Sequence, residues 1–386
     1  MTMPMPDDHP LGPPPDEQSW VRVAADLATG FAATADEFDR TAQLPVANLR
    51  ALHASGLDQA TLPREWGGQS LSYRTVGAVL RVLSAADPST ACVWLMHIGA
   101  AEGLVRHSAP DAARYYADEL IAGRRFANAL SEPSGGNQFL SPQQVAEPVD
   151  GGYRLTGAKR FVSGCEIADH FLVNALVDGQ PTLFGLEPDH TVTFEPQDTL
   201  GLRATRSHLI GLNGTVLRSD RRCPPSPQPK PNHIAAGLAW LSLGIADTAL
   251  DTLVRYARGR TLPSTGQPLA AEQRLQFEVA DAVLRLEAAA LVAHNTAWLA
   301  DRDSPLFLPA ATRAKPTANQ VARDVAQLCL QVGGGSGFVA TSPIQRIFRD
   351  AQAGWLMAHS VEFCLNLIGA DAMLAPRDEP DQVTRG

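Results

Sequence analysis

The sequence predicts an α+β chain in three parts: an N-terminal helical domain over 16–122, a middle antiparallel β-domain over 123–230 and a C-terminal four-helix bundle over 231–386, after a leader of residues 1–15. Three observations predict it. Apolar residues recur at helical spacing as far as Ala122. From Phe126 they gather into short β-branched and aromatic segments cut by Gly, Asp-Gly and Pro turns. After His233 helical spacing returns in runs long enough for a bundle.

In the leader, Pro4, Pro6, Pro10, Pro13, Pro14 and Pro15 leave little room for regular structure, so it is expected to be disordered. From Ser19, the residues Val21, Ala24, Leu27, Ala28 and Phe31 share one helical face, and 44–55, 73–86, 90–106 and 111–122 read the same way. Leu62-Pro63-Arg64-Glu65-Trp66-Gly67-Gly68 is a turn-rich connector. YRLTGAKRFVSG, HFLVNALV, PTLFGLE, VTFEPQ and HLIGLNGTVL read as strands, and CPPSPQPKPN after them cannot continue a sheet. The bundle helices are expected over 234–258, 270–301, 310–332 and 344–368.

Composition narrows the function classes. The 386 residues are 45% hydrophobic and 19% charged, an ordinary globular balance. A net charge of -9 without a Lys/Arg cluster argues against nucleic acid or an anionic membrane as partner. No apolar run reaches the length of a membrane span, and the acidic, Pro-rich start is unlike a signal peptide, so a cytoplasmic location is expected. Cys92, Cys165, Cys223, Cys329 and Cys364 are odd in number, scattered and without C-x-x-C, which fits buried, reduced thiols and neither a disulfide framework nor a metal site.

Four stretches concentrate the chemistry. Ser131-Glu132-Pro133-Ser134-Gly135-Gly136-Asn137 reads by itself as a turn whose glycines let a ligand approach the backbone. Thr156-Gly157-Ala158-Lys159-Arg160-Phe161-Val162-Ser163-Gly164 reads by itself as a hairpin strand with Phe161 inward and Ser163 outward. Arg260 opens a Pro- and Gly-containing connector between helices. Gly333-Gly334-Gly335-Ser336-Gly337 lies between two expected helices, where a dinucleotide fingerprint would follow a strand. Among the histidines, His97 in WLMHIGA and His359 are the candidates for proton handling.

In this order the stretches resemble the flavin-binding segments of the acyl-CoA dehydrogenase superfamily, over nearly all of residues 16–373. Gln331, Gly334, Gly335, Gly337, Pro343, Arg346, Arg349 and Asp350 match its C-terminal pattern Q-x-x-G-G-x-G then P-x-x-R-x-x-R-D without a gap. The resemblance implies the acyl-CoA dehydrogenase fold and a flavin, FAD or FMN. It assigns the cofactor to Ser131, Gly136, Asn137, Phe161, Ser163, Arg260, Gln331, Gly334, Gly335, Ser360 and Glu362. In that assignment Phe161 stacks on the ring, Ser163 donates to its N5/O4 edge, Arg260 pairs with the pyrophosphate, and Gln331 and the glycines meet the adenylate. The Arg260 segment departs from the family's R-x-x-F-G-x-P-I: the Phe is missing and two residues are added, which keeps FMN open beside FAD. In relatives this segment reaches a neighbouring subunit, so a homodimer or homotetramer is also implied.

The same count puts Ala358 and His359 where the family has its catalytic Glu-Gly, and the alternative base position aligns near Ile234. No Asp or Glu occurs over 221–246 or 351–361. Desaturation of an acyl thioester needs a carboxylate to take the α-proton. The wording from Phe161 through Asp169, together with His97, resembles the flavin-dependent monooxygenase branch. The leading expectation is a monooxygenase with His359, Ser163 and His97 as catalytic residues. It would use reduced flavin from a separate reductase and oxygen on a small-molecule or carrier-linked acyl substrate. One alternative is an acyl-thioester dehydrogenase with a relocated base, or redox-neutral thioester chemistry on CoA or a carrier protein. Another is a catalytically silent flavin-binding partner subunit.

Overall fold

The computed structural model describes residue 6 and residues 8–136, 138–224 and 230–374. Five helices come first: α1 (Gln18–Thr41), α2 (Val46–Ala54), α3 (Tyr73–Ala86), α4 (Pro88–His107) and α5 (Pro110–Ile121). Seven strands follow: β1 (Phe126–Ala129), β2 (Ala146–Val149), β3 (Gly152–Val162), β4 (His170–Val177), β5 (Gln180–Leu186), β6 (Val192–Glu195) and β7 (His208–Arg218). The last part is α6 (His233–Gly259), α7 (Gln273–Ala300), α8 (Phe307–Phe338), α9 (Pro343–Leu356) and α10 (Val361–Leu374).

Local chemistry sets the helix starts. Ser72, Asp87, Asn232 and Ser342 each cap the helix that follows by accepting a backbone N–H with the side chain, and Pro88 and Pro343 occupy first-turn positions that need no donor. α4 is apolar on nearly every face and is buried accordingly, packed between α3, α6 and the strands. The main core joins α1, α3, α4, α6, α7, α8 and α9 around Trp94, Trp240, Leu80 and Leu286. A second core lies between sheets β1-β4-β5 and β2-β3-β7-β6 and includes Leu155, Phe171, Phe184, Ile210 and Leu217.

The structure departs from the sequence expectations in several places. The described part of the leader is docked: Arg74 Nη1 donates to the Pro10 and Gly12 carbonyls at 2.8 and 3.0 Å, and His294 Nδ1 lies 3.0 Å from Leu11 O. Proline-rich backbone offers carbonyls without N–H groups, and these side chains supply the donors. Residues 1–5 and 7 lie outside the described residues. The strands are not all antiparallel, because β1 runs parallel to β4 from Phe126↔His170 to Ala129↔Val173. A parallel pair needs a crossover, and the chain between them, including β2 and β3, provides it. The single helix expected over 344–368 is two, broken at Met357–Ser360 where Ala358 takes φ 51°. The glycine run lies inside the end of α8, which breaks at Gly334 (φ 52°, ψ -144°), backbone that only glycine adopts without strain. Finally, α6 is long and apolar enough to cross a membrane, but 78% of its apolar window is buried in the bundle, as in a core helix.

Candidate functional site

Lys159, fully buried on β3, organises the first part of the site. Its ammonium donates to Glu132 Oε1 at 2.8 Å and to Asn174 Oδ1 at 2.9 Å. Asn174 in turn donates to the Phe139 carbonyl at 2.7 Å, and the Glu132 carboxylate accepts from the Gln143 and Gln144 amides at 2.9 and 3.3 Å. Burial lowers the Lys159 pKa and Glu132 opposes that shift. One buried ion pair therefore closes the 131–144 loop onto the sheet. Asn137 lies outside the described residues.

The strand next to this loop bulges between Lys159 and Val162, and Phe161 sits in the bulge at φ 57°. A bulky residue in left-handed backbone costs on the order of 1–3 kcal/mol, a strain typical of functional positions. The bulge breaks the alternation that would turn Phe161 inward and leaves its ring 53% exposed, with the Arg160 guanidinium 4.5 Å from the ring centre. Arg160 N donates to Ser131 O at 2.7 Å, which sets the loop beside the ring. Ser163, two residues on, is nearly buried, and the hydroxyls of Ser163, Ser207 and Thr205 form a chain at 2.8 and 2.7 Å. Cys92 of α4 lies close by. Burial pushes its thiol up to about 12, with the neighbouring Ser163 opposing.

The bundle meets this assembly at the α9–α10 break. The His359 ring stacks on Phe363 with centres 4.6 Å apart and meets Phe139 of the 131–144 loop at 4.8 Å. Ser360 Oγ accepts from Phe363 N at 3.3 Å at the start of α10. Exposed Glu362 accepts from Trp355 Nε1. Ser131, Phe161 and Ser163 thus share one edge of the sheet, and Phe139 of the same loop reaches His359. His97 is not among them: its Nδ1 accepts from Phe126 N at 3.0 Å, and its Nε2 lies 3.5 Å from Asp58, which pairs with Arg125 at 2.6 Å. Burial, then Arg125, holds its pKa low, so a neutral His97 ties α4 to β1.

Arg260, Gln331, Gly334 and Gly335 lie on the later parts of α6 and α8, which meet where Tyr256 Oη donates to the Gly333 carbonyl at 3.2 Å. Arg260 lies at the end of α6, about 27 Å at a rise of about 1.5 Å per residue beyond Ser242, which packs under the α9–α10 break. Its exposed guanidinium has no partner among the described residues. Gln331, Gly334 and Gly335 are exposed, and a Cβ at Gly136, Gly334 or Gly335 would meet nothing within 4 Å. Beside them a cleft of about 550 Å³ is lined by Arg255, Tyr256, Ser336 and Pro343. An exposed guanidinium and open glycine backbone each suit a phosphate, and an exposed aromatic ring beside a glycine loop suits a planar group. About 27 Å of α6 separates Arg260 from the part of the helix under the α9–α10 break.

The R-x-x-R-D run belongs to the scaffold. Arg346 Nε donates to Asp36 at 2.5 Å, Arg349 pairs with Asp39 and donates to the Leu200 carbonyl at 2.9 Å, and Asp350 accepts from Leu202 N at 2.7 Å. Burial pushes the Asp350 carboxyl up to about 7, with Arg346 opposing. Two further residues escaped the sequence reading. Glu102 of α4 accepts from His233 N at 3.0 Å, beside Ile234, because α4 and α6 touch at Gly99, where a Cβ would come within 2.3 Å of Ile234. Burial raises its pKa, but His233 and Arg106 outweigh that and hold it below the usual range, so it is a poor proton acceptor. Lys315 of α8 donates to Asn319 Oδ1 at 2.9 Å and to the Gly354 carbonyl at 2.8 Å, and burial brings its pKa down to about 8. A Cβ on Gly354 would come within 2.6 Å of Asn319 Nδ2, so glycine makes room for this cluster under the break.

Comparison with known proteins agrees with this architecture. The family models "Acyl-CoA dehydrogenase, N-terminal domain" and "Acyl-CoA dehydrogenase, C-terminal domain" match residues 14–124 and 232–373, together about two thirds of the chain. The 3-sulfinopropanoyl-CoA desulfinase of Paraburkholderia xenovorans is 29% identical over 353 residues, covering 87% of this chain and 89% of that protein. The human mitochondrial short-chain specific acyl-CoA dehydrogenase is 27% identical over 336 residues, covering 82% and 80%. Butyryl-CoA dehydrogenase from Megasphaera elsdenii shares the fold at a TM-score of 0.85 with 22% identity, covering 96% of this chain and all of that one. FMN-bound TdsC from Paenibacillus sp. A11-2 does so at 0.81 with 21% identity, covering 92% and 97%.

Proposed function

Because the chain belongs to the acyl-CoA dehydrogenase superfamily, we propose that it is a flavin-dependent oxidoreductase that works as a monooxygenase and not as an acyl-CoA desaturase. The observation that carries this reading is the α9–α10 break: position 358 is alanine at φ 51°, its neighbour His359 packs between two phenylalanine rings, and Glu362 faces solvent on Trp355. An α-proton has no carboxylate to receive it there.

The residues fit a flavin. The exposed Phe161 ring offers a stacking face, the pinned 131–144 loop flanks it, and Arg260, without a partner among the described residues, suits the phosphate end with the open backbone of Gly334 and Gly335. Bound there, the flavin supplies two electrons, so that one oxygen atom reaches the substrate and the other leaves as water. Phe139, Phe161 and Phe363 make the surroundings apolar and limit water. His359 handles the proton, and the cluster around Lys315 supports the break that carries it. Separation of the two halves along α6 supports a homo-oligomer in which a second copy completes each site. A separate reductase, a small-molecule or carrier-linked substrate, the choice between FAD and FMN, and a cytoplasmic setting belong to the same proposal. Five unpaired, buried cysteines support the last of these.

Similarity to a 3-sulfinopropanoyl-CoA desulfinase favours a second reading, redox-neutral chemistry on an acyl thioester at the same pocket. Turnover under ¹⁸O₂ with a flavin reductase tests the first against the second. One labelled oxygen atom per product molecule is expected, with His359→Ala lowering product more than flavin binding. Oxygen consumed only to peroxide across aromatic, amine and carrier-linked substrates would count against it.

A further inference from the structure

Resting on the flavin reading above, we infer that the hydroxyl chain behind Ser163 makes this serine a hydrogen-bond acceptor toward the cofactor, so that the site prefers reduced to oxidised flavin. Thr205 Oγ1 lies 2.8 Å from the Leu202 carbonyl, which can only accept, so the single hydroxyl proton of Thr205 points there. Thr205 is buried, and two bare oxygens facing each other at that distance would be costly. Ser207 Oγ is 2.7 Å from Thr205 Oγ1, so the proton between them is that of Ser207. The 2.8 Å contact between Ser207 and Ser163 then takes the proton of Ser163.

Ser163 is left with a lone pair on its open side. The Cys92 thiol, pushed up to about 12 by burial, keeps its own proton and is only a weak acceptor, so the Ser207 oxygen takes the Ser163 proton in preference to it. The chain is anchored at both ends: Gly164 N donates to Thr205 O at 2.8 Å, and Leu202 N donates to Asp350. Reduced flavin carries a proton on N5 and can donate to that lone pair. Oxidised flavin has only a lone pair there. The order of protons is therefore the reverse of a Ser163 that donates to the ring.

Ser207→Ala tests the inference, because it frees the Ser163 proton while leaving Ser163 in place. The ratio of affinities for reduced over oxidised flavin is expected to fall about tenfold, one hydrogen bond exchanged for an unfavourable contact, which is a drop of about 30 mV in the two-electron midpoint potential. Thr205→Val, which frees the Ser207 proton instead, is expected to act in the same direction. Ser207→Ala made in a Ser163→Ala background should not move the ratio. An unchanged or raised ratio in Ser207→Ala, or the same fall without Ser163, overturns the inference alone. Failure of the unmodified protein to bind either form of flavin overturns the reading it rests on, and this inference with it.

Discussion

Glu132→Ala is expected to destabilise the protein by about 3–5 kcal/mol, because it leaves the Lys159 ammonium in the interior without its carboxylate. Lys159 has no exposed surface, and its other partner, Asn174, is neutral. The same substitution removes the acceptor for the Gln143 and Gln144 amides, so the 131–144 loop should lose its hold on the sheet and Phe139 its contact with His359. Chemical denaturation measures the first effect, and protease sensitivity of the loop the second. Replacing both partners by apolar residues, Lys159→Met with Glu132→Leu, should recover most of the stability without restoring the loop. A loss below about 1 kcal/mol in Glu132→Ala would mean that the pair does not carry the loop.

Lys315→Met is expected to change stability in the opposite direction. In the unfolded chain this amine keeps its proton up to its ordinary value of 10.5, whereas burial in the fold brings it down to about 8. Between those two values the unfolded state binds more protons, so this contribution to stability rises with pH across that window and its cost is complete below about 8. The full cost is on the order of 3 kcal/mol. Methionine removes it but also removes the bonds to Asn319 and Gly354, so a net gain of about 1–2 kcal/mol is expected at pH 7. The gain should shrink as pH rises from 8 toward 10. A variant less stable than the parent by the same amount at every pH would contradict this.

How much was legible in the sequence depended on whether a residue's role is local. The order of helices and strands follows from apolar period, and the caps at Ser72, Asp87, Asn232 and Ser342 follow from residue type. The motif that best carried recognition, Arg346-x-x-Arg349-Asp350, turned out to spend its charges on α1 and the 200–202 loop. A motif records that residues matter together, not whether they face a ligand or a neighbouring helix. Phe161 reads inward by alternation and faces outward because the bulge beside it comes from pairing with β7, which the strand does not encode by itself. His97 and Glu102 take their roles from contacts with distant residues, Phe126 and His233. One signal of buried cations lies in the composition. Nearly all basic residues in this chain are arginines, and of its few lysines both Lys159 and Lys315 are buried and hydrogen-bonded. A primary amine, smaller than a guanidinium, suits such positions.

The central claim is that this member of the superfamily does its redox chemistry without removing an α-proton from an acyl thioester. Anaerobic addition of saturated acyl-CoAs of increasing chain length to the flavin-loaded protein, followed by absorbance, tests it most directly. The account predicts that the oxidised flavin spectrum persists, because Ala358 offers no base and Glu102 and Glu362 are already engaged. Bleaching of the flavin within seconds by any of these thioesters would contradict it.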